Sequence, residues 1–560
     1  MRGKRHVMAA LLATATAMAA PAGAARETTV LSAARIHTLD PARPLAEALA
    51  FDAQGRILAV GDRGELLARY PGAARVDAGQ ATVVPGLIDA HGHVANLGLA
   101  RMRVDLAGAA SKAEVLERLR AFAAELPPGA WLLGRGWDQN RWPERAFPSA
   151  ADLDAAFPDR PVWLERIDGH AGWANTAALR TVARDLSGDW QPDGGRIERD
   201  ARGQATGVFV DAAMALVEDA IPPLDAAATE RALELGMRAA VANGLTGVHD
   251  AGVSLAQLEA YRRLADRGAL PLRITAMADG DGAALAWLCE HGPYRHPGGR
   301  LRMRTVKLYV DGALGSRGAA LLEDYSDDPG NRGLLLLQPA PLREVAGRAR
   351  GCGVQVATHA IGDRGNRVVL DAYQALLAGQ DAAALRWRIE HAQLLAPEDL
   401  PRLAALGVIA SMQPTHATSD MPWAQDRVGP LRIVGAYAWR QLRDSGARLA
   451  FGSDFPVESV DPRLGLHAAA TRADLHGHPA GGWLPQEKLT AWEALRGFTR
   501  DAAWAGFAED EVGTLAPGLR ADFVLLDRDP LAVPPADLPA LQVLATWVDG
   551  RSVYERPDAP

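Results

Sequence analysis

What most constrains this chain is a repeated alternation in its middle, where short apolar runs each give way to an amphipathic stretch. Candidate strands fall at 83–89, 245–250, 272–278, 304–310, 354–359, 387–391, 408–413 and 449–454, with helical stretches such as 229–243 and 255–267 between them. Apolar strands that alternate with helices build a parallel sheet, because a parallel neighbour needs a crossover. Eight such units are the number that closes a barrel. The expected fold class is therefore α/β, a (β/α)8 TIM barrel. One spacing is irregular. The 94–228 segment is too long for a single crossover and holds two more strand-like runs, Trp131-Leu132-Leu133 and Pro161-Val162-Trp163-Leu164. It reads as a cap insertion after the first barrel strand.

The two ends of the chain share another style, short strands broken by turns. Segments around 29–31, 35–38, 48–51 and 56–60 precede the barrel, and 521–527 and 543–554 follow it. They are expected to pair into one β-domain. The organisation is then 26–82 and 512–560 as its two parts, 83–93 as the first barrel strand, 94–228 as the cap and 229–511 as the rest of the barrel. Residues 1–25 read differently: Arg2, Lys4 and Arg5 precede an Ala-rich apolar run from Val7 to Ala20, then Pro21-Ala22-Gly23-Ala24-Ala25. This is the pattern of a secretory signal peptide cleaved after Ala24 or Ala25. The expected location is secreted or periplasmic, with no stable membrane anchor after cleavage.

Composition excludes little but does exclude something. Sixty basic against 68 acidic residues leave a formal charge of -8, with no basic block, which argues against a nucleic-acid partner. Only Cys289 and Cys352 occur, and neither sits in a Cys-x-x-Cys pair. One disulfide between them is possible in an oxidising compartment, but sequence cannot place their Cα atoms within bridging range, and both are read as packed thiols.

The candidate chemistry lies at strand ends, where barrel sites gather. The first strand ends Asp89-Ala90-His91-Gly92-His93, and residues i and i+2 of a strand point to one side. The fourth carries Lys307, the fifth ends in His359, the sixth in His391 and the eighth in Asp454. Each has a bland alternative, such as a pairing of Lys307 with Asp311 or Glu323, or a helix cap for Asp454. Together they form an imidazole and carboxylate set suited to zinc, or to Mn, Fe, Co or Ni, with no sulfur ligand.

These residues carry a resemblance. The stretches Pro85-Gly86-Leu87-Ile88-Asp89-Ala90-His91-Gly92-His93, Gly169-His170-Ala171-Gly172-Trp173-Ala174-Asn175, 307–317, 359–363, Ile389-Glu390-His391-Ala392, Gly452-Ser453-Asp454-Phe455-Pro456 and 513–522 resemble the amidohydrolase superfamily. Within it they resemble the amidohydrolase-3 group of YtcJ-like and N-substituted formamide deformylase-like proteins. The resemblance implies a metal-bearing barrel with a composite β-sandwich built from both chain ends. It implies one or two divalent ions, with His91 and His93 at the more buried position and His359 and His391 at the more exposed one. Lys307, as a carbamate, would bridge them, and Asp454 would be both ligand and general base. Trp137, Asp138 and His170 in the cap, and Asp311 and Arg317 after the fourth strand, are the candidate substrate contacts; the alternative for Trp137 is packing within the cap, and for Asp311 and Arg317 an ion pair that fixes the loop.

The expected activity is hydrolysis of a non-peptide C–N bond in an amide-like small molecule by metal-activated hydroxide. Deamination or isomerisation at the same site is the rival chemistry, because one barrel hosts many reactions. A periplasmic small-molecule binding protein is the rival of another class. Expected partners are a small-molecule substrate and, in a homodimer, a second copy of the chain.

Overall fold

The computed structural model describes residues 28–557 except 167–170, 193–194, 223 and 316. The signal-peptide expectation therefore lies outside the described residues. All eight expected barrel strands form: β1 (Leu87–Gly92), β2 (Leu245–Val253), β3 (Arg273–Asp279), β4 (Leu301–Tyr309), β5 (Gln355–Ala360), β6 (Arg388–His391), β7 (Ile409–Met412) and β8 (Arg448–Phe451). They follow one another around the sheet in chain order, each parallel to the next. The ring closes through the residues just past β8. The Asp454 amide donates to the His91 carbonyl at 2.7 Å, and the buried Asp89 carboxylate accepts from the Ser453 hydroxyl at 2.7 Å. Gly452 makes this closure possible, since a Cβ there would sit 2.4 Å from the His91 nitrogen.

The run expected as one strand over 83–89 is two strands. Thr82–Pro85 belongs to the β-domain, pairing antiparallel with Phe523–Leu526, while Leu87 begins β1. The break falls at Gly86, whose position admits no side chain: a Cβ would lie 2.1 Å from Oγ1 of Thr246 on β2. Strands from both chain ends thus share one sheet, ordered Arg551–Glu555, Val543–Val548, Phe523–Leu526, Thr82–Pro85, Thr29–His37, Leu45–Phe51, Ile57–Gly61, with Ala74–Asp77 beside Thr29–His37. Strand alternation divides its side chains. Val83, Phe523 and Leu525 join Leu31, Phe51 and Ile57 in the core of this domain, whereas Val84, Val524 and Leu526 pack into the barrel core.

Between β1 and β2 the chain builds the cap, a six-stranded sheet ordered Gly195–Arg199, Ala205–Asp211, Ala171–Ala174, Val162–Arg166, Leu132–Trp137, Val104–Asp105. Its core centres on Trp137, Trp142 and Trp173, whose rings lie about 6 Å apart.

The cysteines correct the sequence reading. Cys289, in the helix Ala283–His291 after β3, and Cys352, just past the helix Pro339–Gly351 after β4, form a disulfide with a Cα–Cα distance of 4.9 Å. A separation of 63 residues gave no local signal of this; two neighbouring outer helices bring them together. Among the described residues no helix is long and apolar enough to cross a membrane.

Candidate metal centre

β1 delivers His91 and His93 to the C-terminal mouth of the barrel, as the i, i+2 spacing requires. Each imidazole is fixed from behind. The Nδ1 of His91 donates to Oε2 of Glu390 at 2.5 Å, and that of His93 to the Ala251 carbonyl at 2.8 Å. The Nδ1 of His391 donates to Oε1 of Gln413 at 2.8 Å. With Nδ1 carrying the proton, Nε2 keeps its lone pair and can ligate.

The free nitrogens converge on Asp454. Its carboxylate lies 2.9 Å from Nε2 of His93, 3.6 Å from Nε2 of His91 and 3.8 Å from Nε2 of His416. Lys307, almost fully buried on β4, places Nζ 3.0 Å from Nε2 of His91. The His359 ring sits 4.5 Å from that of His391, and the His391 ring 5.0 Å from that of His91. These side chains therefore lie beside one another at the barrel mouth. His391 and Asp454 both have positive φ, 73° and 61°, a conformation that costs non-glycine residues energy and recurs at functional sites.

Electrostatics suit a cation. Burial drives His91 down to about 4 and His359 down to about 3, with Lys307 adding to both, so each imidazole is neutral near pH 7. Burial pushes the Asp454 carboxyl up, but the surrounding imidazoles, His91 foremost, outweigh it and hold the group well below the usual carboxylate range. Burial also lowers the Lys307 ammonium. Beneath His91, Arg388 donates to Glu390 at 2.6 and 3.0 Å and to Ser411 Oγ at 2.6 Å. Its charge keeps the Glu390 carboxyl far below its ordinary value despite complete burial.

A divalent ion fits this donor set on structural grounds. Nε2 of His359 and Nε2 of His416 are buried with no hydrogen-bond partner among the described residues, an arrangement that is costly unless something accepts those lone pairs. Among the described residues two donor groups have all their ligand atoms within 4.8 Å of one another: His91, His93 and Asp454, and His391, His416 and Asp454. His359 belongs to neither of these groups; its Nε2 lies 3.6 Å from Asp311.

The expected substrate contacts fare differently. Trp137 is fully buried in the cap core, donating from Nε1 to the Leu164 carbonyl at 2.8 Å, so it packs rather than touching substrate. Asp311 is also buried and accepts from the amides of Ala320, Ile361 and Gly362 at 2.8–2.9 Å, which ties the loops after β4 and β5 together. Arg317 forms an outward-lying ion pair with Asp327 at 2.9 Å. Asp138 accepts from Arg166 at 3.0 Å, and His170 lies outside the described residues.

Sequence reasoning missed Glu390, Gln413 and His416. Glu390 had a readable signal, because Arg388 and Glu390 at i, i+2 on a buried strand share one face. The positive φ at His391 then turns the next side chain back to the site, which strand alternation alone forbids.

The comparisons agree with this geometry. The family model for the Amidohydrolase family matches residues 74–554. The chain is 34% identical over 513 residues to YtcJ of Bacillus subtilis (strain 168), covering 90% of this chain and 95% of that protein. It is 32% identical over 545 residues to the N-substituted formamide deformylase of Arthrobacter pascens, covering 93% and 97%. The crystal structure of a metal-dependent hydrolase from Pyrococcus horikoshii OT3 superposes with a TM-score of 0.76 at 29% identity, over 91% of this chain and 99% of that one. With a metal-suited barrel and a family match spanning most of its length, the chain belongs to the amidohydrolase family.

Proposed function

We propose that this chain is an exported, metal-dependent hydrolase of a non-peptide C–N bond in a small amide-like molecule, with N-substituted formamides as the first substrate class to test. The observation that carries this reading is the pair of His/Asp donor groups meeting at Asp454. His91, His93, Lys307, His359, His391 and Asp454 are the residues that would hold one or two divalent ions, zinc first among them. When bound, such an ion supplies Lewis acidity, which acidifies water and polarises a carbonyl.

The chain's own groups do the rest. Asp454, ionised and aimed into the site, takes a proton from the attacking water as its oxygen bonds to the carbonyl carbon. The same carboxyl returns that proton to the departing nitrogen as the C–N bond breaks, leaving an acid and an amine. The buried Lys307 side chain, whose ammonium form burial disfavours, forms a carbamate with CO2 from its neutral amine: an N–C bond is made, one N–H proton is lost, and a neutral amine becomes an anionic oxygen ligand. Export is supported by the N-terminal run from Arg2 to Ala25 and by the Cys289–Cys352 disulfide, since disulfides persist in oxidising compartments.

The test is Asp454→Asn, assayed with metal content against a panel of N-substituted formamides, simple amides and a dipeptide. Turnover of the amides by the parent but not the dipeptide, with a loss of about 10²–10⁴-fold in the variant while the histidines keep the metal, supports the reading. Unchanged turnover across the panel removes Asp454 from the chemistry.

A further inference from the structure

We infer that His416 is a direct metal ligand, completing a second ion site with His391 and Asp454. This rests on the reading of the barrel mouth as a metal centre and goes beyond it, since the family resemblance assigns the exposed position to His359 and His391.

The distances carry the assignment. Nε2 of His416 lies 3.8 Å from Oδ2 of Asp454, too far for a hydrogen bond. Two ligands about 2.0–2.1 Å from one tetrahedral ion stand roughly 3.3–3.4 Å from each other, so the gap is close to what an ion between them would leave. The His416 ring lies almost parallel to that of His391, 11° between planes with centroids 5.8 Å apart. Its side chain is 12% exposed, and its Nε2 has no hydrogen-bond partner among the described residues.

The chain around His416 holds it ready. The short helix Pro414–Asp420 starts directly after Gln413, whose Oε1 orients His391, so one turn positions both imidazoles. Pro414 fixes the first helical residue. At the other end, Asp420 accepts from the Tyr437 hydroxyl at 2.5 Å and from Gln393 at 3.1 Å. Both ends are anchored, which is how a protein limits the freedom of a ligand side chain.

The experiment is equilibrium dialysis of the full-length protein with saturating Co(II), counting ions per chain and recording the absorption spectrum. The parent is expected to take up two ions and His416→Ala one. His416→Cys is expected to regain the second ion and to show a thiolate-to-cobalt charge-transfer band that the parent lacks, a signature that only direct ligation produces. Two ions in His416→Ala, or a cobalt-loaded His416→Cys without the band, overturns the assignment. One ion in the parent overturns it too. No metal in the parent defeats the metal centre as a whole, whereas the expected metal counts without amide turnover would leave His416 a ligand and defeat only the proposed reaction.

Discussion

Glu390→Gln is the substitution that tests most sharply how this site is built. Oε1 of Glu390 accepts from Arg388 Nε at 2.6 Å, and Oε2 accepts both from Arg388 at 3.0 Å and from His91 Nδ1 at 2.5 Å. A glutamine has one oxygen, and the buried guanidinium, which can only donate, claims it. The amide NH2 then faces His91, whose Nδ1 must become an acceptor, so the ring proton moves to Nε2 and blocks the ligating lone pair. Loss of such a supporting group costs about 10–100-fold in metal affinity, roughly 1.4–2.8 kcal/mol. Arg388 also loses its counter-charge in full burial, for which breaking a buried pair suggests about 3–5 kcal/mol of stability. Competitive chelator titration reads the first effect and denaturant unfolding of the metal-free protein reads the second. A folded variant that binds metal as tightly as the parent would refute the tautomer argument, whatever its stability.

Four further outcomes follow from the geometry. Gly452→Ala puts a Cβ 2.4 Å from the His91 backbone nitrogen and is expected to part β8 from β1, costing about 1–3 kcal/mol and lowering metal content together with the unfolding midpoint. The double variant Cys289→Ser/Cys352→Ser opens a loop of sequence separation 63, and chain-entropy reasoning gives a loss of about 4 kcal/mol, read as a lower denaturation midpoint that added reductant does not lower further. Glu493, pulled down to about 2 chiefly because Arg440 and Arg443 outweigh its burial, binds fewer protons folded than unfolded. Its contribution is therefore complete above the unfolded value of about 4.3 and lost as pH falls through about 2, so Glu493→Gln should flatten the acid limb of a stability–pH curve between those values. Trp137→Ala should cost about 3–5 kcal/mol as a core truncation, whereas Trp137→Phe should leave KM unchanged; a raised KM there would return Trp137 to the substrate.

Much of the barrel was legible because its strands are buried on both faces and so read as uninterrupted apolar runs between helices. The boundary at Gly86 was not, because the same apolar pattern serves the β-domain sheet on one side and the barrel on the other. At the site, His91 and His93 declared themselves through strand spacing. His416 did not, since it rides a seven-residue helix after β7 and has no strand-end signature. Trp137 and Asp311 each left two readings open for one reason: proximity in sequence to a motif does not say which way a side chain turns. Trp137 turns into the cap core, and Asp311 turns back to the amides of its own and the neighbouring loop.

The central claim is that the barrel mouth is a metal centre in which Lys307 joins the histidines and Asp454. It is tested most directly by elemental analysis of metal per chain in protein purified without chelator, with Lys307→Ala beside it. Two ions in the parent and a clear loss in the variant are the expected result. A parent that carries no metal, and takes none up on reconstitution, would contradict the claim and the hydrolytic mechanism built on it.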